Sequence, residues 1–204
     1  MNTPEAIRGR RSIRRFSPRP IPREQIETLL DLTVQAPSAK NAQPWRFVVL
    51  EGEAHQELIR LMRSAVAEFR KRGLDAGSCE GTCNAMSKAS VTIIFFDVKM
   101  PAGIPQEAFD DYHFVMLQSI GGAIQTLLLA AHDMGLGSLW ICDVLYAGDA
   151  VKAWLGHESD VLVAAVTLGY ADESPGPRPR MPWRDVTEWR GPSPEESLGR
   201  YDSA

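Results

Sequence analysis

Two short segments in the first quarter of the chain carry residue types that could bind a phosphorylated ligand. Residues 10–14 (Arg-Arg-Ser-Ile-Arg) place a hydroxyl among fixed positive charges. Residues 36–45 (Ala-Pro-Ser-Ala-Lys-Asn-Ala-Gln-Pro-Trp) place small polar groups on a loop held by two prolines. Arginine binds phosphate through paired hydrogen bonds and keeps its proton. Together the segments suit a ligand with a phosphate at one end and a flat, hydrogen-bonding ring at the other.

The elements that must position these segments alternate between helices and strands. Apolar spacing predicts helices near residues 3–10, 22–36, 53–71, 114–134 and 149–155, and strands at 46–50, 90–97, 139–141 and 161–168. Thr3 is predicted to cap the first helix. Residues 72–84 are rich in glycine and are predicted to form a mobile loop with two free thiols. Interleaved helices and strands indicate a mixed α+β (α/β) fold.

Composition indicates a single globular domain over residues 1–204 and argues against several function classes. The 204 residues are 44% hydrophobic, and the net charge of −4 gives no general attraction to nucleic acid or anionic membranes. The apolar stretch at 114–134 is interrupted by polar residues, so we expect a core helix rather than a membrane span. Six of the fourteen prolines lie in residues 170–204, which predicts an extended tail.

The cysteines indicate a reducing compartment. The chain has three, Cys79, Cys83 and Cys142, and no apolar run that would serve as a secretory signal follows the first residue. An odd number of thiols without such a signal predicts a cytoplasmic protein. No second pair or nearby histidine completes a zinc-binding pattern, so no metal site is predicted.

The two N-terminal segments resemble the signature of the FMN-dependent nitroreductase family. Its Arg-Arg-Ser-x-Arg-x-Phe motif is present at residues 10–16, and its Ala-Pro-Ser-x-x-Asn-x-Gln-Pro-Trp motif at residues 36–45, with every marked position matched. The likeness extends to about Pro182 and covers nearly the whole chain. The resemblance implies a nitroreductase-like fold with a central, mostly antiparallel sheet flanked by helices. It also implies a homodimer in which the C-terminal tail is swapped onto the partner subunit.

The resemblance further implies which residues bind FMN. The first motif and a basic pair in the tail would hold the phosphate and ribityl chain, and one arginine of the motif would lie near the ring. The loop after the second helix would reach the flavin of the partner subunit, and the strand after residue 137 would end over the ring system. The implied contacts are Arg10, Arg11, Ser12, Arg14, Pro37, Ser38, Ala39, Asn41, Asn84, Leu139, Trp140, Ile141, Cys142, Arg178 and Arg180.

Purely structural roles compete with some of these assignments. The first 23 residues carry seven arginines and one acidic residue. Four of the seven are expected on the solvated surface, namely Arg8, Arg15, Arg19 and Arg23. Trp140 fits a core position as well as it fits a ring contact, and Gln43 and Trp45 are expected to anchor a strand.

The activity implied by the resemblance is reduction of a nitroaromatic, quinone or similar organic acceptor by NADH or NADPH, in a ping-pong hydride transfer through FMN. No side chain is assigned as catalytic, because the cofactor carries the chemistry. The expected partners are a small-molecule acceptor and a second subunit, with no nucleic acid and no membrane. Two alternatives stay open. One is a specialised relative (a reductive dehalogenase, a flavin-cleaving or a peptide-oxidising enzyme), and the other is a flavin-binding module without turnover.

Overall fold

A four-stranded antiparallel sheet with helices on both faces forms the centre of the computed structural model, which describes residues 1–98 and 105–191. The strands lie in the order β1-β2-β4-β3, and each neighbouring pair is antiparallel. This confirms the predicted mixed class and the mostly antiparallel sheet. In chain order the elements are α1 (Thr3–Gly9), α2 (Arg23–Thr33), β1 (Trp45–Glu51), α3 (Gly52–Lys71), α4 (Cys79–Met86), β2 (Val91–Asp97), α5 (Phe109–Asp133), β3 (Gly137–Ile141), α6 (Gly148–Leu155) and β4 (Val161–Gly169).

Strand β2 is buried along its whole length because both faces of the sheet are covered. Ile93 and Phe95 lie in a core shared with α2 and α5. Ile94 and Phe96 lie in a second core shared with α3, α4 and α6. Successive side chains of a strand point to opposite faces, so the continuous apolar run of β2 supplies both cores at once.

Asn2, not Thr3, caps α1. The side-chain oxygen of Asn2 accepts a hydrogen bond from the Glu5 N–H at 3.0 Å, and the Glu5 carboxylate accepts one from the Asn2 N–H at 3.1 Å. This reciprocal pair is a capping box. The prediction of Thr3 was wrong because Pro4 lies within the first turn, where a proline is tolerated, and therefore does not mark the residue before it as the cap.

The predicted mobile loop after α3 is wrong in its second half, where the chain forms α4. Gly73 and Gly77 have positive φ angles of 71° and 52° and turn the chain between the two helices. Cys79 and Cys83 lie one helical turn apart, are both 0% exposed, and pack in the core with Met86. Cysteine acts here as a small apolar residue. The buried face of α4 is therefore not evident from the spacing of large apolar residues. A hydrogen bond with Cys83 and burial hold the pKa of Cys79 above its usual value.

Helix α5 is the long central helix, and it is apolar enough by length and composition to cross a membrane. Its most apolar 18-residue window has a mean hydropathy of 1.6 despite the polar interruptions, and 44% of that window is buried inside the protein. A core helix meets the same criterion, and α5 packs against α2 and the sheet. Its other side is open, with Phe114 62% exposed.

The described part of the tail, residues 170–191, forms neither an α-helix nor a strand and contains a short 3-10 turn at Trp183–Val186. This agrees with its proline content. Residues 192–204 lie outside the described residues. The swap of the tail onto a partner subunit stays a prediction, and so does the extent of one domain over residues 1–204.

The first motif lies along the edge of the sheet, and two glycines allow it to come close. Ile13 and Phe16 are buried and cover Gly137 and Gly169, which are paired across β3 and β4. A Cβ atom on Gly137 would lie 3.0 Å from the Ile13 side chain, and one on Gly169 would lie 2.7 Å from the Phe16 ring. Because only glycine lacks this atom, these two positions determine how closely residues 10–16 pack on the sheet.

Replacing Gly169 with alanine should therefore lower the free energy of unfolding by about 1–3 kcal/mol, because the added methyl group overpacks the site and displaces Phe16. Urea denaturation measures the change. Gly81→Ala in α4 is the matched control, since a Cβ atom there meets nothing within 4 Å and alanine favours the helix. Equal unfolding midpoints for Gly169→Ala and the unaltered protein would contradict the close packing of Phe16.

Candidate cofactor-binding site

Both basic segments that the sequence analysis assigned to a phosphate meet at the C-terminal end of α1. They line a cavity of about 240 Å³. Its wall includes Arg10, Arg11, Ser12, Arg14, Pro175, Gly176, Arg178 and Arg180. The structure therefore brings together six of the predicted contact residues, although they come from opposite ends of the chain.

Backbone pairing between the first motif and the start of the tail produces this meeting. The Ser17 N–H donates to the Tyr170 carbonyl at 2.8 Å, and the Asp172 N–H donates to the Arg15 carbonyl at 2.9 Å. The Glu173 carboxylate then accepts the Arg15 N–H at 3.1 Å. The tail is thus held beside the motif before it reaches its own arginines.

The cavity concentrates positive charge that the described protein does not neutralise. Neither the cavity arginines nor the adjacent Arg8 form an ion pair with a carboxylate in residues 1–98 and 105–191. Partial burial, together with repulsion from Arg11 and Arg180, holds the pKa of Arg10 below its ordinary value. A bound anion would relieve both effects.

Arg11 combines a structural role with a free donor. Its Nη1 donates to the Arg8 carbonyl at 2.6 Å and to the Arg10 carbonyl at 2.8 Å, so the side chain binds the last carbonyls of α1. Its Nε is buried and has no hydrogen-bond partner among the described residues. Buried donors are almost always paired, and an anion could reach this one only after a shift of the side chains that cover it.

Strand β3 connects the cavity to an exposed turn. The Ile13 N–H donates to the Ser138 carbonyl at 2.9 Å, which ties the motif to the start of the strand. A strand rises about 3.3 Å per residue, so Cys142 lies roughly 13 Å from Ser138. Trp140 on this edge strand and Cys142 immediately after the strand are exposed. A ligand with a phosphate in the cavity and a ring at the turn would follow the strand.

Two of the predicted contact residues on β3 have no side chain available to a ligand. Leu139 is 5% exposed and Ile141 is 2% exposed, and both pack in the core against α3 and α4. Strand alternation is the reason, since it turns Trp140 outward and its neighbours inward. Contacts from Leu139 and Ile141 to a cofactor can therefore involve only their backbone groups.

Helix α4 fixes the turn at the end of β3 through contacts that the sequence analysis missed. Thr82 donates its hydroxyl to the Asp143 carboxylate at 2.5 Å, and Ser78 donates to the same carboxylate at 3.3 Å. The Cys79 thiol lies 3.9 Å from the Asp143 carbonyl oxygen. The spacing of Ser78 and Thr82, one helical turn apart, would place both hydroxyls on the same side of a helix. This spacing is informative only once a helix is predicted in this region.

The loop that follows α2 lies far from the arginines of its own chain. The Ala39 N–H donates to the Ser119 hydroxyl in the middle of α5 at 3.3 Å. His132 is near the C-terminal end of α5 and lines a cavity beside Arg10. Thirteen residues of helix separate Ser119 from His132, which corresponds to roughly 20 Å. One chain therefore does not bring Pro37 and its neighbours to the arginine cavity.

The same loop has an unusual backbone held by its own side chains. Lys40, Asn41 and Gln43 all have positive φ angles, near 50°, a conformation that is uncommon outside glycine. The Ser38 hydroxyl accepts the Gln43 N–H at 3.0 Å, and the Gln43 amide donates to the Asn41 side-chain oxygen at 3.2 Å. Such strain concentrates at binding sites, and it leaves Pro37, Ser38, Ala39 and Asn41 preorganised.

Asn84 lies on α4 and is exposed. Its side-chain oxygen accepts a hydrogen bond from Arg63 of α3 at 3.0 Å. It does not line the arginine cavity. The structure therefore does not bring Asn84, a predicted FMN contact, together with the arginines that were assigned to the phosphate.

Known proteins resemble this chain in sequence and in fold. The model of a family described as "Nitroreductase family" matches residues 7–170. The chain is 29% identical over 192 residues to nitroreductase NfnB of Mycolicibacterium smegmatis, covering 82% of each protein. It is 28% identical over 192 residues to 4-nitrobenzoate reductase of Pseudomonas putida, covering 82% of this chain and 85% of the relative.

A solved structure shows the same architecture. The FMN-dependent nitroreductase NfnB from Mycobacterium smegmatis, in complex with NADPH, superposes with a TM-score of 0.71 at 24% identity, covering 92% of this chain and 97% of that one. The match to the family extends from α1, which carries the first arginines, to the end of β4. This chain belongs to the nitroreductase family.

Proposed function

We propose that the protein is an FMN-dependent oxidoreductase that reduces nitroaromatic, quinone or similar organic acceptors with NADH or NADPH. The observation that carries the proposal is the cavity formed by both basic segments, which β3 connects to an exposed turn. The names of the relatives support it, since one is an FMN-dependent nitroreductase bound to NADPH and another is a 4-nitrobenzoate reductase.

The residues present fit the phosphate end of FMN. Arg10 lacks a described carboxylate partner and is repelled by its neighbours, and the Nε of Arg11 is a buried donor without a partner in the described chain. Ser12 adds a hydroxyl to the same wall. A phosphate carries close to two negative charges at neutral pH, so it would pair with the guanidinium groups of this wall.

In this proposal, the residues of the protein bind, orient and enclose the cofactor. Arg10, Ser12 and Arg180 would hold the phosphate, and the turn at Cys142 and Asp143 would orient the ring through backbone groups. When bound, FMN would supply the redox chemistry, which is the transfer of a hydride from NADH or NADPH to the organic acceptor. No protein side chain has to act as a general acid, so none is assigned as catalytic.

The proposed active form is a homodimer. The loop at residues 37–41 binds α5 roughly 20 Å along the helix from the end that adjoins the arginine cavity, so we assign it to the flavin of a second subunit. The tail carries exposed apolar side chains suited to a partner surface, with Met181 71%, Trp183 53% and Trp189 80% exposed. An obligate dimer of this kind would bury more than about 2,000 Å².

The proposed location is the cytoplasm. Cys79, Cys83 and Cys142 are free thiols, and a reducing compartment keeps thiols in this state. NADH and NADPH are also supplied there.

The first expected outcome is that the protein purifies yellow with non-covalent FMN, because the cavity supplies arginines and a hydroxyl for one phosphate. Chromatography of the denatured supernatant identifies the flavin, and loss of its visible absorbance on adding NADH or NADPH under nitrogen shows that the nicotinamide reduces the bound flavin. FAD or no flavin would contradict the proposal. Bound FMN that neither NADH nor NADPH bleaches would favour the alternative of a flavin-binding module without turnover.

Arg10→Ala and Arg180→Ala should each weaken FMN binding by about 1–3 kcal/mol, because each removes a charged hydrogen bond to the phosphate. Fluorescence quenching during titration of the apoprotein with FMN gives the dissociation constants. Arg23→Ala is the matched control, since Arg23 lies on α2 and pairs with Glu27 on the surface. If both cavity variants bind FMN as tightly as the control, the cluster is surface charge only.

Removing residues 181–204 tests the dimer while keeping Arg178 and Arg180. We expect the truncated chain to lose dimerisation and FMN together, because the site would lack the partner's loop at residues 37–41. Analytical ultracentrifugation and the ratio of flavin to protein absorbance provide the two measurements. A truncated monomer that holds FMN with the affinity of the full chain would overturn the assignment of Pro37, Ser38, Ala39 and Asn41 as contacts from the partner subunit.

A further inference from the structure

A second cavity, of about 320 Å³, adjoins the proposed phosphate site. The two cavities share Arg10, Arg11, Arg178 and Arg180, which form a common wall. Ser12 and Arg14 line only the first cavity, whereas the second is completed by Ile7, Arg8 and Pro177. The arginine cluster therefore faces two separate spaces.

One phosphate does not account for the charge of this cluster. Six arginines line the two cavities, and none forms an ion pair with a carboxylate of the described residues. A phosphate group carries at most two negative charges near neutral pH. With FMN in the first cavity, the second would still present several unneutralised guanidinium groups to a second anion.

The second cavity also has an apolar side. Ile7 is 57% exposed although it lies on α1 among polar residues, and Pro177 is beside it on the wall. An apolar patch next to guanidinium groups suits a ligand that joins a flat base to a phosphate, because the base can cover Ile7 while the phosphate binds arginine. An inorganic anion would leave the apolar side unused.

We propose that this second cavity binds the adenosine 2′-phosphate of NADPH, and that the enzyme therefore prefers NADPH to NADH. The inference rests on the proposed function, because NADPH must bind close enough to FMN for its nicotinamide to reach the flavin ring. Arg8 is the residue specific to this subsite, and Arg178 supports it from the tail. NADH, which lacks the 2′-phosphate, would leave these guanidinium groups without an anion.

The test compares kcat/KM for NADPH and NADH in the flavin-loaded dimer. The unaltered enzyme should favour NADPH, and Arg8→Ala should reduce the NADPH-to-NADH ratio by about tenfold, the effect of losing one charged hydrogen bond. The substitution keeps the Arg8 carbonyl that binds Arg11, and alanine is a good helix former. Arg23→Ala should leave the ratio unchanged. A preference for NADH, or a ratio in Arg8→Ala within twofold of the unaltered enzyme, would overturn the proposal.

A binding measurement separates this subsite from the proposed activity. Adenosine 2′,5′-bisphosphate should bind the flavin-loaded protein at least about tenfold more tightly than adenosine 5′-phosphate, and Arg8→Ala should remove the difference. Calorimetry detects this even if no acceptor is reduced, so failure of the proposed function remains distinguishable. Equal affinities for the two nucleotides would show that the second cavity does not recognise the 2′-phosphate.

Discussion

The close packing of residues 10–16 on the edge of the sheet is the constraint on which the candidate site depends. Ile13 and Phe16 fit so closely over Gly137 and Gly169 that a Cβ atom on these glycines would lie only 3.0 and 2.7 Å from them. This contact places the arginines of the first motif beside the start of β3 and next to the strand end from which the tail leaves. The chemistry-bearing residues are polar and exposed, but two buried apolar side chains and two glycines determine where they lie.

Bringing several arginines together has a cost that the protein does not offset internally. Repulsion from Arg11 and Arg180 and partial burial lower the pKa of Arg10, and no described carboxylate neutralises the group. Glu173 in the tail binds the backbone N–H groups of Arg14 and Arg15 and the Arg15 side chain instead. The cluster is therefore arranged for an external anion, and the binding of that anion should stabilise the folded state.

The sequence allowed the fold class, the sheet and the meeting of two basic segments to be predicted, because long motifs and periodic apolar runs are strong signals. It did not allow the prediction of α4, because Cys79 and Cys83 supply its buried face without large apolar side chains. The contact of Thr82 with Asp143 was missed for the same reason, since it depends on that helix. Phe16 packs over Gly169, which is far from it in the sequence. The spacing of residues along a short segment does not predict a contact of this kind.

Helix α5 sets the distance between the two halves of the proposed site. The loop after α2 binds it at Ser119, and the arginine cavity lies near its end at His132, roughly 20 Å away. A two-fold interface places the same surface of each subunit against the other, so the loop of one chain can meet the cavity of its partner only if the reverse contact forms as well. Both sites would then be completed in a single step of assembly. The rigid backbone of the loop, with three residues at positive φ, would let it present its polar groups without further ordering.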